Sequence, residues 1–175
     1  MIPFQRRDLV TELAFFRAFL AWETFLEESF VLYLAGQKPP QGRSPRRYSF
    51  PPNLQVAMEW VVPEGQDYAT WTTASRVSER AERFFQGGRP FAPILRSNQN
   101  ALDESRILRN AIAHASANAQ AKFENLLRNR LGTLPANVTV GAFLGLTLPR
   151  SSPPVSFLEH YLAKIEFAAR QIVPS

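Results

Sequence analysis

From about Asp8 to Ala35 the chain repeats large apolar side chains at spacings of three and four. Leu9, Leu13, Phe16 and Leu20 make one row; Phe15, Phe19, Trp22, Leu26, Phe30 and Tyr33 make another. A run of that length at helical period, with no Gly or Pro inside it, predicts one long first helix. Gly36 followed by Lys38-Pro39-Pro40 supplies its stop. The apolar arc is wide, so other elements have to cover it. Glu23 and Glu27 project into the middle of that arc. Such a carboxylate either reaches a solvated rim or is buried with a cationic partner, because an unpaired buried charge is costly. For Glu23, Arg109 or Arg106 would be a natural partner.

The rest of the chain also reads as helix and loop. Asn53 to Val62 is ambiguous between a short helix and a strand, and Pro63-Glu64-Gly65 is a turn. Asp67 is positioned to cap a helix from Tyr68 to Phe85, with Trp71, Ala74, Val77, Ala81 and Phe84 inside and Arg76, Arg80 and Arg83 outside. Further helices are predicted from about Asn98 to Ser116 and from Ala119 to Arg130, the latter capped by Gly132. Thr133 to Pro154 reads as a plain loop in preference to a small hairpin. Ser156 and Glu159 have capping-box spacing and open a last helix striped by Leu158, Tyr161, Leu162, Ile165, Ala168, Ala169 and Ile172. The expectation is an all-α fold: a single domain, residues 1–175, forming a bundle of about five helices with a Pro/Arg-rich loop inserted.

Composition narrows the function. A hydrophobic fraction of 45% is that of a globular protein. There is no cysteine, which removes disulfides and thiolate metal sites and suits a cytoplasmic protein. Two histidines far apart in sequence argue against a histidine-rich metal centre, and no cofactor motif is present. Arg6-Arg7 followed by Asp8 does not read as a secretory leader, and no stretch is long and apolar enough to span a membrane. The net charge is +5, with 17 arginines against three lysines. Arginine pairs bidentately with phosphate and stacks on bases, so an anionic partner is expected. Gln37 to Pro52, with five prolines, holds Arg43, Arg46 and Arg47 next to Tyr48 and Phe50. That mixture is either a solvated linker or a surface that tracks single-stranded RNA, with charge for phosphates and rings for bases.

One stretch could carry chemistry at neutral pH: Leu108-Arg109-Asn110-Ala111-Ile112-Ala113-His114. On a helix, Asn110 and His114 share a face with Asp103 and Arg106 near them, and Arg109 projects from the adjacent flank. Ile107, Leu108, Ala111, Ile112 and Ala115 read as the opposite, packing side. An imidazole can take a proton from a 2′-hydroxyl or give one to a leaving 5′-oxygen. A guanidinium can hold the scissile phosphate. Together these suit metal-independent RNA cleavage that leaves a 2′,3′-cyclic phosphate. On spacing alone, His114 could equally be a surface histidine bonded to a neighbour.

At these residues the chain resembles the HEPN superfamily, small α-helical domains whose signature is Arg, a polar residue, a few more residues, then His. Its layout is similar to the RiboL-PSP branch, in a Trp22-Glu23 pair on the first helix and a last helix opening Phe157-Leu158-x-x-Tyr161-Leu162. Gln37 to Gly65 has no assigned counterpart. The resemblance implies an endoribonuclease, commonly a toxin or defence effector, acting as a homodimer whose two motif helices meet in one cleft. It implies His114 as acid/base, Arg109 as phosphate clamp, Asn110 as positioning donor, and Glu23, with Arg106 nearby, in support of Arg109. It also makes an antitoxin or nucleotidyltransferase partner an expectation. The alternative it allows is a non-catalytic HEPN-fold module that binds RNA or protein.

Overall fold

A computed structural model describes residues 4–174. Among these residues are eight α-helices, one 3-10 turn (Gln86–Gly88) and no strand. They are α1 (Phe4–Leu34), α2 (Leu54–Val61), α3 (Ala74–Phe84), α4 (Phe91–Ser97), α5 (Gln99–Ala113), α6 (Ala117–Leu131), α7 (Val140–Gly145) and α8 (Phe157–Ile172). The all-α class stands, and the count of about five rises to eight through α2, α4 and α7. No described helix is long and apolar enough to cross a membrane. The chain divides into two compact units, Met1–Leu20 with Asp103–Lys164, and Ala21–Leu102 with Ile165–Ser175.

The first unit is built on aromatic and leucine packing. Phe15 from α1, Leu108 from α5, Phe123, Leu126 and Leu127 from α6, Phe143 and Leu144 from α7, and Phe157 and Tyr161 from α8 form one buried cluster. Phe143 stacks on Phe157 with ring centres 4.3 Å apart, and Phe15 meets Tyr161 edge-on at 6.3 Å. The capping box at α8 is formed as predicted: the Ser156 amide donates to Glu159 Oε2 at 2.6 Å, and the Glu159 amide donates to Ser156 Oγ at 3.2 Å. The Ser156 amide, then the Ser156 hydroxyl donating to the same oxygen at 2.7 Å, hold the Glu159 carboxyl below its usual range.

The stretch read as a loop around Val140 is a helical turn instead. Val140, Phe143 and Leu144 are buried at i, i+3 and i+4. Thr139 caps the turn, its Oγ accepting from the Ala142 amide at 3.0 Å, and Glu12 on α1 accepts from the Gly141 amide at 2.9 Å. A carboxylate set against these first amides satisfies donors that a helix otherwise leaves unpaired.

The second unit is centred on Phe30. Its ring lies 5.3 Å from Trp71, 5.0 Å from Phe85 and 4.9 Å from Phe91. The sequence predicts a helix from Tyr68, but α3 starts at Ala74 after an extended Thr73. Tertiary packing overrides propensity here. Trp71 is drawn into the Phe30 cluster, and Arg80, buried, lays its guanidinium 4.5 Å over the indole while donating to Thr70 O at 3.2 Å. Arg80 is thus inside the unit, not on its outer face, and burial, then the nearby Arg83, pulls its pKa down. Asn53 caps α2, accepting from the Val56 amide at 3.0 Å, which settles the Asn53–Val62 ambiguity as a helix.

α1 ends in a tight turn. Gly36, at φ +95°, donates to Tyr33 O at 3.0 Å while Gln37 donates to Leu32 O at 2.9 Å. The Arg47 Nη1 donates to Leu34 O at 2.6 Å, and its guanidinium lies so close to Gly36 that a Cβ there would sit 2.9 Å from it. The left-handed backbone at this position favours glycine.

Candidate functional site

α5 and α6 are consecutive helices separated by three residues, and the motif lies at their joint. α5 stops at Ala113, one residue before the histidine, although the His114 amide still donates to Asn110 O at 3.0 Å. Ser116 then caps α6, its Oγ accepting from the Ala119 amide at 3.2 Å. Serine is favoured at a cap over a helix interior, so the boundary falls ahead of the predicted Ser116.

Around the joint is a shallow depression of about 160 Å³, lined by Ile107, Asn110, His114, Ser116, Asn118, Ala119 and Lys122. His114 is exposed, and Asn110 is half-buried. The predicted sharing of one face by these two residues therefore holds. Ile107 packs against the core cluster, as expected, and, seven residues from His114, also lines the depression. Seven residues is close to two full turns, which brings the two side chains onto one face. Ala115, also expected to pack, is exposed beyond the end of α5.

Arg109 reaches this site through Asn110. Its Nη1 donates to Asn110 Oδ1 at 3.2 Å, and its guanidinium lies 5.7 Å from the centre of the Phe16 ring on α1. Guanidinium has no acceptor, so the amide oxygen must face Arg109, and the Asn110 NH2 keeps its protons for another partner. Arg106 pairs with Asp103 at 3.7 Å, one turn back along α5. Glu23 is half-buried on α1.

Behind the motif, α5 is tied to α6 and α8 by one carboxylate. Glu104 Oε2 accepts from Arg130 Nη2 at 2.6 Å, from Arg130 Nε at 3.1 Å and from the Tyr161 hydroxyl at 2.9 Å. The hydrogen bond to Glu104 raises the Arg130 pKa, while burial and then Glu104 raise that of Tyr161. His160, half-buried beside this group, is pulled down first by burial, then by Arg130 and Lys164, with Glu104 opposing. The sequence reading missed this network, and it missed Asn118 and Lys122. A signal for the latter pair was present: once Ser116 is taken as the cap, their i,i+4 spacing puts both on one face of α6.

The Arg-rich loop belongs to the second unit. Arg43, Arg46 and Tyr48 have exposed side chains, and the loop is pinned by main-chain bonds from Tyr48 to Phe84 O at 2.8 Å and from Gln86 to Arg46 O at 2.9 Å. Arg47 is placed differently from Arg43 and Arg46. It is half-buried, bonded to the end of α1, with its guanidinium 5.0 Å from the Phe50 ring centre. Its fork is used to close a helix.

Comparison with models of protein families, with curated proteins and with solved structures gave no match for this chain.

Proposed function

We propose that this chain is a metal-independent endoribonuclease of the HEPN type, acting on single-stranded RNA. The observation that supports the reading is His114 at the mouth of an open, polar depression, beside an Asn110 amide whose orientation Arg109 holds. In the proposed reaction the His114 imidazole takes the proton of a ribose 2′-hydroxyl. The 2′-oxygen attacks the adjacent phosphorus, and the bond from phosphorus to the 5′-oxygen breaks. The products are a 2′,3′-cyclic phosphate and a 5′-hydroxyl, with a proton delivered to the leaving oxygen. In the dimer that the resemblance implies, the second copy's imidazole supplies that proton. The Asn110 NH2 donates toward the phosphate, and Arg109 acts as a positioning residue that also contributes positive charge nearby.

The exposed Arg43, Arg46 and Tyr48 support a second reading, an RNA-binding module without chemistry. The two readings separate on His114→Ala. For the nuclease, cleavage of a single-stranded RNA in EDTA is lost while binding persists. A module binds equally in both forms and cuts in neither. Growth arrest on expression, relieved by the same substitution, would mark a toxin; unimpaired growth in both cases would count against one.

A further inference from the structure

The depression around His114 combines two features that the motif alone does not supply. Asn110 comes from α5, His114 from the first residue past its end, and Asn118 and Lys122, four residues apart, from α6. Two amides, an imidazole and an ammonium thus converge from two successive helices and their joint. No carboxylate is among the lining residues. Among the described residues Lys122 has no acidic partner, and its side chain is exposed. Arg109, by contrast, is half-buried against Phe16 and bonded to Asn110. The cation that faces this space is therefore the lysine.

We propose that this depression is the subsite for one phosphodiester of a single-stranded RNA, with Lys122 holding its non-bridging oxygens and Asn118 donating beside it. An ammonium offers three donors and no acceptor, so its complement is an anion. With a lysine, two amides and no acid lining the space, an anionic group gains charge-assisted bonds and meets no repulsion. The volume equals that of several water molecules, enough for a phosphate. A contact to the phosphodiester contributes affinity and register but no sequence preference. The α6 amide end is not invoked, because Ser116 already caps it. This inference rests on the nuclease reading for its choice of RNA, and its test separates the two.

The test titrates the full chain with two probes: inorganic phosphate, and a 2′-O-methylated hexanucleotide that lacks the attacking hydroxyl. Amide and side-chain NMR signals of Asn110, His114 and Asn118 are followed in the wild type, Lys122→Ala and Lys122→Arg. Both probes should move these signals in the wild type. Lys122→Ala should weaken both by about 10- to 100-fold, and Lys122→Arg should restore most of the loss. Binding of phosphate without the oligonucleotide would overturn the RNA assignment. Signals that stay still, or binding that ignores Lys122→Ala, would remove the subsite itself. Oligonucleotide binding that depends on Lys122 in a protein that never cuts unmodified RNA would keep the subsite and discard the nuclease. RNA cutting that Lys122→Ala leaves unchanged would do the reverse.

Discussion

Gly141 on α7 faces the main-chain carbonyl of Asp8 on α1 so closely that a methyl group at Gly141 would collide with that carbonyl group. The obstacle is backbone, which cannot swing aside as a side chain would. Gly141→Ala is a neutral or favourable change for an isolated helix. In this chain it should cost about 3 kcal/mol through overpacking, enough to lower the melting temperature by roughly 6 to 12 °C. Differential scanning calorimetry of the two proteins decides it; an unchanged melting temperature would refute the contact.

Tyr161 donates to the carboxylate oxygen of Glu104 that also receives Arg130. Removing only the hydroxyl, in Tyr161→Phe, leaves the buried ring in the core of the first unit. The loss should be about 1–2 kcal/mol, because the bond is to a charged acceptor that keeps two bonds from Arg130. Chemical denaturation gives the value. A loss beyond about 3 kcal/mol would mean that the ring packing had changed as well.

The neighbour of that tyrosine, His160, sets a pH dependence. Burial, then Arg130 and Lys164, disfavour the imidazolium, so the folded chain takes up this proton less readily than the unfolded one. Above about pH 6.5 neither state is protonated there and nothing is lost. As the pH falls through 6.5 the unfolded state binds the proton first, and stability drops until the folded state binds it too. His160→Gln should flatten this part of the profile. Urea midpoints at pH 7.5 and 5 measure it, and equal slopes in both proteins would rule it out.

Asn110→Asp keeps the shape of the side chain and an acceptor for Arg109, but it removes the NH2 donors and adds a negative charge to the depression. Stability should hold or rise slightly through the new pairing with Arg109. RNA cleavage should fall by at least about tenfold, since a carboxylate repels the phosphate that an amide would receive. Cleavage at the wild-type rate would take Asn110 out of the site.

The helices that chain order made visible are those whose signals are local. The Ser156–Glu159 box lies within one turn, and the long apolar rows of α1 need no knowledge of the rest. The turn at Val140 was hidden by its shortness and by the prolines around it, although the spacing of Val140, Phe143 and Leu144 was helical. Residues 68–73 carry a helical apolar pattern, yet they are not helical, because Trp71 packs against Phe30, a residue far off in sequence. The site divides in the same way. Asn110 and His114 could be paired by their spacing, but the Arg130 and Tyr161 partners of Glu104 lie 26 and 57 residues away. Lys122 depended on where α6 begins, a matter of two residues. The bond from Arg47 to the end of α1 was not legible, because composition counts an arginine without saying which way it turns.

The joint of His114, Ala115 and Ser116 works as a phase-setter between two screws. Its three residues are not helical, so their number fixes where α6 begins relative to the end of α5. A single glycine inserted after Ala115 would lengthen the link between the imidazole and the face of α6 that carries Asn118 and Lys122, without altering one functional group. The chemistry would be complete on paper and scattered in space.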